Sequence, residues 1–369
     1  MRTIKRRKQR KKNIAAAICI LAAIVVLVVC FYNTVIKSRL DLVNYTELSE
    51  DDILVNDLSD ETLKVLEDYT TIALFGLDNR DQGNYNRGNS DMIMLLAINN
   101  KTKEVQFVSV YRDSYLNIQG EQQTFRKANA AYAYGGAAQA ISMLNTNMDL
   151  DIDAYVTFDF QTVADAIDAL GGVEVEIEDE EELDYLNYYI DHTNGILGTD
   201  AGYVEGTGTQ TLSGVQAVAY SRIRYTSGYD YKRASRQRLV LTNMLAKAKK
   251  AGPFKLLNIM DTVLPQIETN LTESEVIKLA FSVIRADLTS SSGWPYQRLS
   301  ANLGDSAGWV DIACDLKTNV SEFHELFYGQ EDYTPTDTVL SYDSQIISST
   351  GYTAEDAAID GFEEEDDFQ

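Results

Sequence analysis

Residues 71–113 read TIALFGLDNRDQGNYNRGNSDMIMLLAINNKTKEVQFVSVYRD, and the fold class turns on this stretch. It holds three apolar runs, residues 71–75 (TIALF), 92–98 (MIMLLAI) and 105–110 (VQFVSV). Each is short and bounded by Gly, Asn or Lys-Thr-Lys, which predicts strands of a sheet covered on both faces. Residues 99–103 (NNKTK) are few enough to close a hairpin between the second and third runs. Charged side chains mark the strand ends: Asp78 and Arg80 after the first, Asp91 opening the second, Arg112 and Asp113 closing the third. In α/β domains such ends usually line a site. The three aspartates offer carboxylates for one hard cation with arginine beside it, and Mg²⁺ is commonly held by one or two carboxylates plus substrate phosphates.

Downstream, helical character is expected over residues 128–134, 136–144 and 161–170, the last stopping at Gly171-Gly172 before a strand at 173–177. Residues 236–250 (RQRLVLTNMLAKAKK) predict a helix whose basic end suits its dipole, closed by Gly252-Pro253. Two more helical segments are expected within 254–288. This alternation predicts an α/β layered domain over residues 69–330, with a central mixed β-sheet flanked by helices.

The cations are unevenly placed. No Lys or Arg occurs over residues 128–221, which hold seventeen acids, and six then fall within seventeen residues: Arg222, Arg224, Lys232, Arg233, Arg236 and Arg238. Arginines concentrated in so acidic a domain suggest an anion pocket, against the plainer alternative of a helix start paired with nearby carboxylates. Spacing favours the pocket. Arg222 and Arg224 point the same way on an extended segment, while Arg233 and Gln237 share a helix face. Forked guanidinium donors match phosphate oxygens better than lysine does.

Toward the N-terminus, eight of the first twelve residues are basic, followed by 19 consecutive apolar residues at 14–32. That is close to the roughly 20 residues a membrane-spanning helix needs. Basic residues precede the span and acids follow it, which predicts a cytoplasmic N-terminus (1–13), one transmembrane helix (14–36) and a stalk outside the membrane (37–68). No small-x-small cleavage site follows, so an uncleaved anchor is expected. Residues 13–369 carry 24 bases against 56 acids, a charge of −32 that argues against an ordinary nucleic-acid binder. The basic end is more simply a topology signal or a contact with anionic lipid headgroups. The last fifteen residues hold eight acids and no base, so 331–369 reads as a disordered acidic tail.

Other chemistries lack their parts. Cys19 and Cys30 lie in the span and only Cys314 beyond it, so no internal disulfide is possible outside the membrane. His-Glu-x-x-His, paired Cys-x-x-Cys and Gly-x-Ser-x-Gly are all missing from the sequence. Asp149, Asp151 and Asp153 look like the start of a calcium loop, but Ala154 replaces the turn glycine and Phe160 stands where the terminal Glu belongs.

Five segments, FGLDNR, NSDMIMLLAINNKTKEVQFVSVYRDSYLNI, KANAAYAYGG, DALGGVEVEI and LSGVQAVAYSRIRYTSGYDYKRASRQRLVL, follow in an order and spacing that resembles the LytR-CpsA-Psr proteins, which attach glycopolymers to the bacterial cell wall. The resemblance runs over residues 70–246 and more weakly to about 330. It implies an extracytoplasmic, single-pass membrane enzyme that takes a teichoic-acid-like or capsular polymer from a polyprenyl pyrophosphate carrier, its tail in an apolar channel, and links it to peptidoglycan through a phosphodiester. It implies Mg²⁺ on Asp78 and Asp91, and pyrophosphate on Arg112, Arg222, Arg224, Arg233 and Gln237. Lys127, Arg80, Asp113 and Arg236 are further candidates for the site or for bracing it, and Asp91 or Asp113 for taking the acceptor proton. Tyr111 stands where Pro is usual before Arg-Asp, and Met92 where Thr usually follows Ser-Asp. Alternatives are hydrolysis of the lipid pyrophosphate, a membrane-anchored regulator, and a wall-glycan binder using tyrosines such as Tyr225, Tyr229 and Tyr231.

Overall fold

The computed structural model describes residues 32–78, 83–85, 88–224, 229–304 and 307–357. Two units divide after Val43. The described part of the first is a helical stretch, Tyr32–Lys37 and Ser38–Leu40. The expected span at 14–36 lies almost wholly outside the described residues, among which no helix is long and apolar enough to cross a membrane.

The second unit is built on a seven-stranded mixed sheet. The three apolar runs become β2 (Tyr69–Leu77), β3 (Ser90–Asn99) and β4 (Glu104–Val110), an antiparallel meander turned at residues 99–103 as expected. They follow β1 (Asn44–Tyr45) and α1 (Asp60–Glu67). A hairpin of β5 (Tyr115–Asn117) and β6 (Phe125–Lys127) leads into α2 (Ala130–Met148). Next come β7 (Ala154–Asp159), α3 (Phe160–Leu170), β8 (Val173–Ile177), α4 (Glu180–Leu197), β9 (Gly208–Leu212), α5 (Gly214–Tyr220), α6 (Tyr229–Lys249) and α7 (Pro253–Val263). The chain closes with β10 (Glu268–Thr269), α8 (Glu273–Arg285), β11 (Asp287–Trp294), β12 (Arg298–Asn302), β13 (Trp309–Ala313), α9 (Leu316–Tyr328) and α10 (Asp337–Thr350). The sheet order is β1-β10-β7-β2-β3-β4-β11, with β7 parallel to β2 and β11 parallel to β4.

Alternation along the central strands sends Ala73, Phe75, Leu77, Ile93 and Leu95 into one core with α2, α9 and α10. Ile72, Leu74, Met94 and Leu96 face the other way, toward Leu241 and Leu245 of α6 and Leu279 and Val283 of α8. Covering both faces is what near-continuous apolar strands require. A third core, including Ile167, Val175, Leu186, Ile190 and Val240, joins the β8–β9 hairpin to α3, α4 and α6. Its tightest point is Gly214, where a Cβ would stand 2.0 Å from the Ala164 carbonyl oxygen, so α5 reaches α3 only through glycine.

Four boundaries differ from expectation. The helical stretches on either side of Gly135 and Gly136 form one kinked element, α2, because those two glycines leave helical geometry. Helix α6 begins at Tyr229 rather than 236. Residues 44–68 are not a free stalk: β1 joins the sheet, the Leu54 amide donates to Ser142 Oγ, and Val65 and Leu66 of α1 pack on the main core. Residues 332–357 are not a disordered tail either, since Val339, Tyr342 and Ile346 of α10 are buried in that core. The rest of the expected tail, residues 358–369, lies outside the described residues.

The first aspartate of the cluster set aside as a calcium site is a clamp. Asp149, fully buried in a left-handed conformation at the end of α2, accepts from Asn56 Nδ2 (2.6 Å), Tyr333 Oη (2.9 Å), Thr336 Oγ1 (2.6 Å) and the Thr336 amide (2.8 Å). It ties segments on either side of the domain's sequence to one carboxylate. His324 stacks on Tyr333 at 3.7 Å beside it.

Candidate active site

The site begins with a defect in the sheet. Gly76 pairs with Met92 and Leu77 with Ser90, leaving Asp91 as the extra residue of a bulge on β3. Bulges re-aim side chains, and here Asp91 and Met92 both line one cavity. Gly76 lets the strands close, because a Cβ there would lie 2.9 Å from the Met92 Cβ.

That cavity, of about 450 Å³, runs between the α6 face of the sheet and the lobe of α3 and α4. Its walls are apolar, with Val156, Phe158, Val163, Val240, Leu241 and Met244 among them, and its polar lining includes Asp78, Asp91, Arg222, Arg224, Arg233 and Gln237. Six of the residues singled out from sequence therefore meet on one surface.

The charges interlock. Asp91 Oδ1 accepts from Arg112 Nη1 at 3.0 Å and Oδ2 from Arg224 Nη2 at 3.2 Å. Asp230, in the first turn of α6, faces three arginines: Arg233 Nη1 at 3.1 Å, and the Nε atoms of Arg112 and Arg224, each at 3.6 Å. Burial pushes the Asp91 carboxyl up, but Arg112, Arg233 and Arg224 together hold it below its ordinary value of 3.8. Asp230 is lowered in the same way, Arg233 and Arg112 outweighing its burial. Both are ionised at neutral pH.

The arginines are not fully compensated. Burial, with Arg112 repelling it, pushes Arg233 down to about 10, and its Nε has no hydrogen-bond partner among the described residues. Arg222 is also lowered, chiefly by burial and against the pull of Asp78. Its guanidinium sits 4.8 Å from the Phe160 ring centre and donates to Thr193 Oγ1 at 3.0 Å, with no ion pair to a carboxylate among the described residues. These guanidiniums stay charged at neutral pH, and burial without full compensation favours an incoming anion beside them.

Other candidates stand behind this surface. Asp113 pairs with Lys127 Nζ at 2.9 Å and Arg112 Nη2 at 3.5 Å, so it orients Arg112, which reaches the large cavity through its bond to Asp91; none of Arg112, Asp113 and Lys127 lines that cavity directly. Arg236 is turned away into a buried ion pair with Glu182 at 2.6 Å, both 2% exposed, and its Nη1 donates to the Ile223 carbonyl at 3.4 Å. It braces the backbone between Arg222 and Arg224. Arg80 lies outside the described residues, as do Tyr225 and the side chain of Tyr229. Tyr231 is turned to Asp311, donating to its Oδ1 at 2.8 Å, and lies edge-on to Tyr111.

Sequence reading missed Asp230 and Thr193. An acid three residues before Arg233 on a helix was the available signal for the first. Nothing local marked Thr193, because α4 reaches Arg222 only through the fold.

The donor set fits a hard divalent cation: two carboxylates, Asp78 and Asp91, share the cavity lining, and Asp91 is ionised. No cluster of three or more metal-ligating side chains occurs among the described residues, so further ligands would come from substrate phosphate and water.

A chain with this cavity has counterparts. The LytR_cpsA_psr family model matches residues 33–291. The polyisoprenyl-teichoic acid–peptidoglycan teichoic acid transferase TagU of Enterococcus faecalis is 26% identical over 259 residues, 68% of this chain and 80% of that protein. Biofilm regulatory protein A of Streptococcus mutans is 29% identical over 292 residues, 70% of this chain and 69% of that one. Among solved structures, the LytR-CPS2A-psr family protein YwtF (TagT) with bound octaprenyl pyrophosphate lipid superposes with a TM-score of 0.51 at 18% identity, covering 83% of this chain and all of that one. At that identity the likeness speaks for the fold. With the family model spanning well over half its length, the chain belongs to the LytR-CpsA-Psr family.

Proposed function

We propose that this protein is a phosphotransferase that moves a teichoic-acid-like or capsular glycopolymer from a polyprenyl pyrophosphate carrier to peptidoglycan. One observation carries the reading: an apolar cavity whose polar lining holds Arg222, Arg224, Arg233 and Gln237 beside Asp78 and Asp91. A prenyl chain needs the first part and a pyrophosphate the second. The acid-poor, apolar segment at 14–32 supports a membrane anchor, with the catalytic unit outside the cell and its N-terminus in the cytoplasm. The energy for transfer is then stored in the carrier linkage.

Arg112, Arg224 and Arg233 form a preorganised bank of donors converging on Asp91 and Asp230. On arrival of pyrophosphate, phosphate oxygens replace part of the carboxylate contact. A peptidoglycan sugar hydroxyl attacks the glycan-proximal phosphorus, a new P–O bond forms as the bond to the lipid phosphate breaks, and the hydroxyl proton passes to the departing phosphate or to water. The arginines neutralise the charge growing on the departing polyprenyl phosphate, so positioning and electrostatics supply most of the rate. Asp78 and Asp91 would hold Mg²⁺, whose chemistry there is neutralisation of phosphate oxygens. A carboxyl held as low as Asp91 is a weak base at neutral pH, which favours it as a ligand and anchor for Arg112 over proton removal.

The test supplies the protein with a short-chain lipid-pyrophosphate oligosaccharide, peptidoglycan oligomers and Mg²⁺, and seeks the phosphodiester adduct by mass spectrometry. Transfer predicts the adduct together with free lipid phosphate; glycan phosphate without adduct would indicate hydrolysis, and no reaction would leave binding or regulation.

A further inference from the structure

Helices α7 and α8 both leave apolar residues uncovered, α7 the more openly, since Phe254 is more exposed than Phe281. The sequence of α7, PFKLLNIMDTV, buries no residue, and Phe254 is 87% exposed at its first turn. Leu256, Leu257, Ile259 and Met260 are only half-covered. An apolar helix face of this kind needs an occupant.

Three observations name it. First, charge: residues 244–267 carry four lysines, Lys247, Lys249, Lys250 and Lys255, against one acid, Asp261, in a chain of net charge −24. Lys250 is exposed at the same end of α7 as Phe254; exposed Lys255 gives one donor to the Leu170 carbonyl (2.7 Å) and keeps the others, while Lys247 and Lys249 donate to the carbonyls of Gly171, Gly172 and Ala286. Second, position: Asn44, the first residue of the folded unit, donates from Nδ2 to the Pro265 carbonyl at 3.0 Å, and its strand pairs with Glu268 and Thr269 just beyond α7. The folded unit therefore begins beside this helix, twelve residues of sequence after the last residue of the apolar run at 14–32. Third, continuity: Met244, Val263 and Ile267, at and around α7, line the large apolar cavity.

We propose that α7 is a membrane-docking helix, with Phe254 and its apolar neighbours entering the interface of an anionic bilayer and Lys250 and Lys255 meeting lipid phosphates, so that a prenyl tail passes between bilayer and cavity without crossing water. An amphipathic helix with lysines flanking large apolar residues lies in an interface in this manner, and each nearby lysine strengthens attraction to anionic lipid. The use made of the cavity rests on the lipid-carrier reading above; the docking itself does not.

The experiment places the full chain, carrying Phe254→Trp, in vesicles of phosphatidylcholine with about a third phosphatidylglycerol, some with brominated acyl chains. The unsubstituted protein supplies the background of Trp294 and Trp309. Docking predicts a blue-shifted Trp emission quenched by bromine, and weaker quenching when Lys250→Glu is added. Emission typical of water, unaffected by bromine, overturns the proposal. A blue shift without bromine quenching also overturns it, since a second protein surface then covers the face. In parallel, Phe254→Asp should lower turnover on a long-chain carrier in vesicles about tenfold while leaving a detergent-soluble short-chain carrier unaffected. Equal loss on both would contradict a membrane role, whereas failure of the unsubstituted protein on both substrates would count against the transferase reading and leave the quenching result standing.

Discussion

Two polar clusters in this domain stand out in the sequence and have opposite physical characters. The aspartates at 149, 151 and 153 begin like a calcium loop but lack its glycine and terminal Glu, whereas the arginines at 222–238 suggest an anion site. Around Asp149 the structure spends every interaction: four donors at 2.6 to 2.9 Å saturate one buried carboxylate. Around Arg233 and Arg222 it does not, leaving guanidiniums depressed by burial, one with a donor unspent. A satisfied buried cluster stabilises a fold, whereas an undercompensated one lining a cavity is poised for a ligand. Stability and function are thus separated in space, and mutations should separate them too.

The sharpest break comes at Arg112. Arg112→Ala removes a donor to the developing phosphate charge and should lower transfer turnover by about 10²–10³, as loss of one preorganised donor does elsewhere, a loss per folded molecule beyond the stability cost of leaving Asp91 and Asp230 with one partner fewer; parallel turnover and melting measurements check it. At the clamp the pattern reverses. Asp149→Ala strands four donors and should cost about 3 kcal/mol of stability, read by denaturant unfolding, while turnover per folded molecule is retained.

Acid should distinguish the same regions. His324, buried against Tyr333 with Nε2 at 3.0 Å from the Met148 carbonyl, has its folded value held below 6.5, chiefly by burial. The unfolded chain binds that proton first, so stability present above pH 6.5 falls as pH drops through this window. Asp91 and Asp230 are lowered from 3.8, so their contribution is present above that value and lost only as pH falls through their lower folded values. Unfolding free energy measured against pH should therefore show an upper loss that His324→Gln flattens and a lower one that it leaves. The smallest effect belongs to Asp151, which shares the motif but is exposed. Asp151→Ala should change stability by no more than about 0.5 kcal/mol.

What could be read from sequence follows the same physics. The strands β2, β3 and β4 were legible because both faces are buried and the apolar runs are unbroken. Arg233 and Gln237, four apart, do line one cavity, as do Arg222 and Arg224, with Ile223 between them in the core. Arg236 was ambiguous because its partner Glu182 lies on a separate helix. Helix α10 escaped notice because its buried residues, Val339, Tyr342 and Ile346, are sparse and the acids beyond them dominate the local average. The bulge that aims Asp91 depends on strand pairing, which periodicity along one strand does not contain.

The arginines of the cavity carry more charge than Asp91 and Asp230 offset, and the anion that completes the site is a lipid pyrophosphate. The most direct test is equilibrium binding of a prenyl pyrophosphate and the prenyl monophosphate of equal chain length to the intact protein and to Arg233→Met. The pyrophosphate is expected to bind at least about tenfold more tightly, a difference of about 1.4 kcal/mol, and Arg233→Met to erase most of that preference while the prenyl chain still binds. Equal affinity for the two headgroups, or a preference that survives the substitution, would contradict a pyrophosphate site.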